Sequence, residues 1–200
     1  MIDFLKNSFD RLPISQENKE IFNLPNCITM VRIAVMPVLF FLLLSPGRFF
    51  SLVIAILFIV ASITDLLDGY VARRYNIVTK MGKVLDPIAD KLLISTAMIV
   101  MIPIGRIPAW IVAIFVIRDI FVDGLRSIAS SEGLIIQARA LGKQKTLCQV
   151  IAVSALLIHY PIFGIDAHIV GMAILYIALI LTVWSGTDYY RQFHRDVIKK

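Results

Sequence analysis

Apolar residues fall in six long blocks, with most of the charge gathered in the gaps between them. The blocks cover roughly 27–45, 50–74, 84–104, 108–131, 142–162 and 167–190. Each is near the ~20 residues a helix needs to cross a bilayer, so the pattern predicts six spanning helices. The breaks have local causes. Ser45-Pro46-Gly47 is a turn signal, Pro103, Gly105 and Pro108 bracket the third break, and Glu132-Gly133 and Gly142 bracket a polar stretch. Tyr160-Pro161 and Gly164 end the fifth block. Residues 3–22 read two ways. With Phe4, Leu5, Phe9 and Leu12 on one side they form an amphipathic helix on the membrane surface; otherwise they are a disordered tail.

Composition agrees with the blocks. Of 200 residues, 58% are hydrophobic, more apolar surface than a soluble domain of this length can hide. The expectation is an all-α polytopic membrane protein: a juxtamembrane segment over 1–22 and one membrane domain over 23–200. The first 25 residues are polar and charged, which is not the pattern of a cleavable signal peptide. Cys27 and Cys148 lie in or near apolar blocks and suggest neither a disulfide framework nor a metal site. The net charge of +6 reads as loop topology and attraction to anionic lipid rather than nucleic-acid binding.

Charge also orients the chain. Six spans put both termini on one side, together with 18 of the 20 Lys and Arg residues; only Arg48 and Arg106 fall on the other. By the positive-inside rule the rich side is cytoplasmic. The expected location is the plasma or inner membrane, multi-pass.

The chemistry concentrates in residues 65–90, DLLDGYVARRYNIVTKMGKVLDPIAD. Asp65 and Asp68 end the second block, and Asp86 and Asp90 begin the third. Carboxylates are costly at membrane depth and usually mark function there. If 65–73 is helical, Asp65, Asp68, Gly69, Ala72 and Arg73 share one face. Asp86 and Asp90, at i and i+4, share another. Hard oxygen donors of this kind suit Mg²⁺ or Mn²⁺, and Arg73 offers a planar fork to phosphate. Two cations would neutralise a pyrophosphate and stabilise an in-line displacement. Taken singly, each residue has a plainer reading. Asp86 could cap a helix starting at Pro87, Asp90 could pair with Arg73 or Lys91, and Asp65 and Asp68 could line a cation pathway.

The run Asp65-x2-Asp68-Gly69-x2-Ala72-Arg73-x8-Gly82-x3-Asp86-x3-Asp90 resembles the signature of the CDP-alcohol phosphotransferases at all eight of its fixed positions. The resemblance implies a membrane enzyme of six helices, commonly a homodimer. Such an enzyme moves a phosphatidyl or similar group from a CDP-linked donor to an alcohol and releases CMP. It implies that Asp65, Asp68 and Asp86 hold two divalent cations, and that Asp90, also at the metal centre, takes the proton of the acceptor hydroxyl. Gly69, Arg73 and Thr79, with the segment Ile28-Thr29-Met30-Val31, would contact the donor. The residues agree with such chemistry: an alcohol is a weak nucleophile that a positioned carboxylate assists. No Ser-His or Cys-His pairing suggests a covalent route, His159 and His168 falling on the side away from the aspartates.

Within the family, residues from about Asn23 to Tyr190 resemble members that join CDP-diacylglycerol to sn-glycerol 3-phosphate. The similar segments are Asn23-Leu24-Pro25-Asn26-x2-Thr29-x2-Arg32, Arg118-Asp119-x5-Leu125-Arg126 and Leu141-Gly142-Lys143-x-Lys145-Thr146. One departure is Asp119, where those members carry Glu; the charge is kept at shorter reach. An anionic acceptor also fits the basic residues Arg118, Arg126, Arg139, Lys143 and Lys145, which can converge near the aspartates. Arg118 lies about ten residues into its span, roughly 15 Å deep by helix rise. Asp119 and Asp123 could neutralise these cations instead, and Lys143 and Lys145 could be ordinary loop charge. Other acceptors stay open within the family: phosphatidylglycerol, inositol phosphate or serine. A cation or proton transporter is the reading from another class, and the gathering of all four aspartates near one end counts against it.

Trp110, Trp184, Tyr189 and Tyr190 read as interfacial anchors, and Gly171, Ala173 and Ala178 as small residues for helix packing or a dimer seam.

Overall fold

The computed structural model describes residues 30, 33–34, 36–38, 41–43, 47–74, 80–134, 140–161 and 164–198; at 65–74, 80–87, 140–141, 143 and 197–198 it describes backbone alone. Five long helices follow one another: α1 Arg48–Arg74, α2 Lys80–Met101, α3 Ala109–Ser131, α4 Ala140–Ile158 and α5 Ala167–Phe193. A single π-helical turn, His194–Ile198, continues α5. The described residues between 30 and 43 are helical as well. There is no β-strand among the described residues, so the all-α expectation holds. Five predicted blocks coincide with α1–α5 to within four residues at each end. The reading of residues 1–22, and the donor-segment residues Ile28, Thr29 and Val31, lie outside the described residues, as do Thr79 and Arg139.

The helix ends follow from their residues. Gly105 takes φ +72°, its N–H reaches Ile102 O, and Arg106 N–H reaches Met101 O. Gly133 repeats the arrangement at φ +71°, with Leu134 N–H on Ala129 O. These are Schellman ends, which satisfy the last carbonyls of a helix and favour glycine in the left-handed position. His159 occupies that position after α4 at φ +62°, a conformation histidine adopts more readily than most side chains. Asp166 starts α5 by accepting from His168 N and Ile169 N at 2.9 and 3.3 Å, an N-cap. α2 starts a turn earlier than the block it was read from and runs through Pro87, so Asp86 does not cap the helix.

α4 is the inner helix. It packs along α5 and against α1 and α2, burying Ala152, Val153, Leu156 and Leu157 against Ile54 and Phe58 of α1, Met98 of α2 and Leu175 and Ala178 of α5. A Cβ added at Gly171 would lie 2.8 Å from Leu156 Cγ and 3.1 Å from Leu156 N, so α4 and α5 meet almost backbone to backbone there. Ala178 is buried too, whereas Ala173 is exposed. Arg106 ties the other end of the bundle. It is 2% exposed, donating from Nη2 to Ser51 Oγ of α1 at 2.6 Å and from Nη1 to Leu157 O of α4 at 2.7 Å.

The outer surface is apolar: Phe49, Ile56, Ile117, Ile120, Ile169, Ile177, Ile180 and Trp184 are all exposed. An aqueous surface rarely carries so many large exposed apolar side chains. Among the described residues, Ala167–Asp196 is long and apolar enough to cross a membrane, and Arg48–Thr64 and Gln144–Ile158 are shorter apolar helices.

Candidate functional site

The four signature aspartates lie on α1 and α2 and converge, by chain path, on one end of the bundle. Asp65 and Asp68 are in the last turns of α1, and Asp86 and Asp90 in the first turns of α2. Only residues 75–79 separate the two helices. The backbone over 65–74 is helical, so the i, i+3, i+4, i+7, i+8 register of Asp65, Asp68, Gly69, Ala72 and Arg73 is met. Asp86 and Asp90 fall one turn apart on α2. Asp90 is half-buried; the side chains of Asp65, Asp68, Gly69, Arg73 and Asp86 lie outside the described residues. Of the donor segment, Met30 is described, helical and exposed.

Ion pairs tie α2 to α3 and α3 to α4, and a hydrogen bond ties α3 to α5. Lys91 pairs with Asp123 of α3. One turn earlier on α3, Asp119 Oδ1 receives both Arg118 Nη1 at 2.9 Å and Lys145 Nζ of α4 at 2.6 Å. Lys145 is 4% exposed, and its ammonium sits 5.8 Å from the centre of the Phe115 ring. Arg118 Nη2 donates to Ser185 Oγ of α5 at 2.9 Å. Its Nε is buried with no hydrogen-bond partner among the described residues. Two cations share one carboxylate here, so Arg118, Lys145 and Asp119 together carry +1. With Lys145 buried and Arg118 and Asp119 partly so, an excess of positive charge there favours the binding of an anion.

Farther along α3, Arg126 is exposed, with its guanidinium 5.9 Å from the centre of the Tyr189 ring. Tyr189 is buried with Phe193, Val122, Leu125 and Ala129 in a second, smaller core. It is therefore not an interfacial anchor, in contrast to the exposed Trp110, Trp184 and Tyr190. The structure brings Arg118 and Lys145 together. Arg126 stands two helical turns from Arg118, and the side chain of Lys143 is outside the described residues.

Asp119 pairs with both Arg118 and Lys145 and offsets one of the two charges, whereas Asp123 takes Lys91 rather than an arginine. Ser185 and Gly186 escaped the sequence reading. Their signal is a stripe of small or polar residues, Thr182, Ser185, Gly186 and Tyr189, along an otherwise apolar helix.

Comparison with known proteins gives a consistent family. A model of the CDP-alcohol phosphatidyltransferase family matches residues 22–184. A CDP-diacylglycerol–glycerol-3-phosphate 3-phosphatidyltransferase of Bacillus subtilis is 42% identical over 181 residues, 84% of this chain and 94% of that protein. One of the same name from Rickettsia typhi is 38% identical over 170 residues, 84% of this chain and 96% of that protein. A probable phosphatidylglycerophosphate synthase of Mycobacterium tuberculosis is 34% identical over 180 residues, 88% of this chain and 84% of that protein. With most of its length matched in each comparison, the chain belongs to the CDP-alcohol phosphatidyltransferase family.

Proposed function

We propose that this chain transfers the phosphatidyl group of CDP-diacylglycerol to sn-glycerol 3-phosphate, giving phosphatidylglycerophosphate and CMP. The names of relatives at 38–42% identity supply both substrates. The observation that carries the reading is the placing of two aspartate pairs on the adjoining ends of α1 and α2, and the sharing of one carboxylate by Arg118 and Lys145 supports an anionic acceptor.

Asp90 accepts the proton of the acceptor hydroxyl as its oxygen bonds to the phosphatidyl phosphorus. The phosphoanhydride bond breaks, and its electron pair leaves with CMP. Arg73, Gly69 and Thr79, with Ile28 to Val31, hold the CDP donor, the guanidinium taking phosphate oxygens in a fork. Arg118, Arg126, Arg139, Lys143 and Lys145 receive the acceptor phosphate, Lys145 while paired with Asp119. The family is divalent-cation dependent, and the donor set fits: aspartates about one helical turn apart along the backbone of α1 and again of α2 supply the hard oxygen donors that suit Mg²⁺ or Mn²⁺. Asp65, Asp68, Asp86 and Asp90 would hold two such ions, which when bound neutralise the diphosphate and the charge that builds on its leaving oxygen.

The family is membrane-integral. The apolar outer surface and the one-sided distribution of Lys and Arg support six crossings, with the aspartate end and both termini cytoplasmic. The domain then covers 23–200, in a plasma or inner membrane, as a homodimer.

The deciding experiment is CMP release by purified protein in detergent, with CDP-diacylglycerol, Mg²⁺ or Mn²⁺, and a panel of acceptors. Release dependent on sn-glycerol 3-phosphate is expected. Release with inositol phosphate, serine or phosphatidylglycerol in its place would overturn the acceptor, and no release with any of them would overturn the reaction.

A further inference from the structure

α5 carries none of the residues assigned to the reaction, yet its second half faces both arginines of α3. On α3, Arg118, Val122, Leu125, Arg126 and Ala129 follow the i, i+4, i+7, i+8, i+11 stripe of one helix face. On α5, Ser185, Gly186, Tyr189 and Phe193 form the opposing stripe. The two faces pack directly: Val122, Leu125 and Ala129 share a core with Tyr189 and Phe193.

At each arginine the α5 residue is specific in kind. Ser185 Oγ accepts from Arg118 Nη2 at 2.9 Å, while its own hydroxyl donates to Thr182 O at 3.2 Å. The serine oxygen is thereby oriented with a lone pair toward the guanidinium. Gly186 makes room for the arginine stem, since a Cβ there would lie 3.2 Å from Arg118 Cγ and 3.5 Å from its Nε. Between Ser185 and Asp119, two of five N–H donors are used, and the guanidinium plane is fixed by hydrogen bonds from two helices. One turn on, the Tyr189 ring stands 5.9 Å from the Arg126 guanidinium, within cation–π range.

We propose that Ser185, Gly186 and Tyr189 of α5 are positioning residues that set Arg118 and Arg126 for the acceptor phosphate. The last helix thus acts on the acceptor without touching it: the arginines arrive pre-oriented, and less rotamer freedom is lost when the anion binds. This inference rests on the acceptor-phosphate reading above.

The test is steady-state CMP release by full-length protein in detergent, with KM measured separately for sn-glycerol 3-phosphate and CDP-diacylglycerol. Arg118→Ala serves as the reference. Ser185→Ala is expected to raise the acceptor KM about tenfold, the worth of one hydrogen bond to a charged group, and Gly186→Ala, which presses on the Arg118 stem, to raise it as well, both leaving the donor KM within about twofold. Ser185→Thr should restore most of the loss. Tyr189→Leu should raise the acceptor KM, whereas Tyr189→Phe, which keeps the ring, should not. An unchanged acceptor KM in Arg118→Ala would sink the underlying acceptor reading. A raised one in Arg118→Ala, with Ser185→Ala and Tyr189→Leu unaffected, would overturn the positioning role alone. Equal rises in both KM values, or no rescue by Ser185→Thr and Tyr189→Phe, would also overturn it, since they indicate general loosening of the bundle.

Discussion

Single side chains separate chemistry from architecture in this protein. Asp90→Asn is expected to lower turnover by roughly 10²–10⁴, the usual worth of a general base, while a filter-binding assay still detects CDP-diacylglycerol. Asp119→Asn acts differently. It leaves Lys145, 4% exposed, without its carboxylate, and stripping one partner from a buried pair costs about 3–5 kcal/mol. The expected outcome is a lowered melting temperature in detergent, which a second change of Lys145→Met should partly reverse. At this scale the sequence was legible where residues are rare for their surroundings. Four carboxylates and an arginine at the edge of apolar blocks declare themselves. Ser185, Gly186 and Tyr189 do not, because serine, glycine and tyrosine are ordinary in membrane helices, and only the facing arginines give them meaning. Lys145 shows what the sequence leaves out: a lysine near a helix start reads as loop charge or phosphate ligand, and its burial against Asp119 and Phe115 depends on a helix 26 residues away.

Helices were more readable than sites. The blocks located α1, α3 and α5 to within a few residues because glycine, proline and N-cap signals stand at their ends. α2 begins four residues before its apolar block because its first turn, Lys80 to Lys83, is largely polar, and it runs through Pro87 with Asp86 already inside the helix. Which helices touch was not legible at all. The close crossing of α4 and α5 depends on Gly171, and periodicity alone does not say which partner a small residue meets. Gly171→Ala should press its methyl into Leu156 and cost about 1–3 kcal/mol by overpacking. Thermal unfolding in detergent reads this out, and pairing the change with Leu156→Ala should recover part of the loss. Gly105→Ala, at φ +72° in open space, should cost about 1–2 kcal/mol through backbone strain alone, with no compensating partner.

The whole molecule is a bundle with the signature aspartates at one end and a structural tie at the other. EDTA is expected to abolish CMP release, and added Mg²⁺ or Mn²⁺ to restore it; activity surviving strict chelation would rule out the two-cation scheme. Orientation is tested by impermeant thiol labelling of intact cells. In a background with Cys27 and Cys148 replaced by Ser, Ile165→Cys should react from outside, and Ser130→Cys only after permeabilisation. Arg106 gives the assembly a direction in time. Its acceptors are Ser51, made before it, and the carbonyls of Leu156 and Leu157, about 50 residues later. While the chain is being synthesised, the α2–α3 hairpin carries a guanidinium whose protein partners are not all in place. The charge has its full set only when α4 arrives. Closing the end of the bundle remote from the aspartates therefore waits on the fourth long helix, and a nascent chain halted before Leu156 would leave this arginine to water and lipid headgroups.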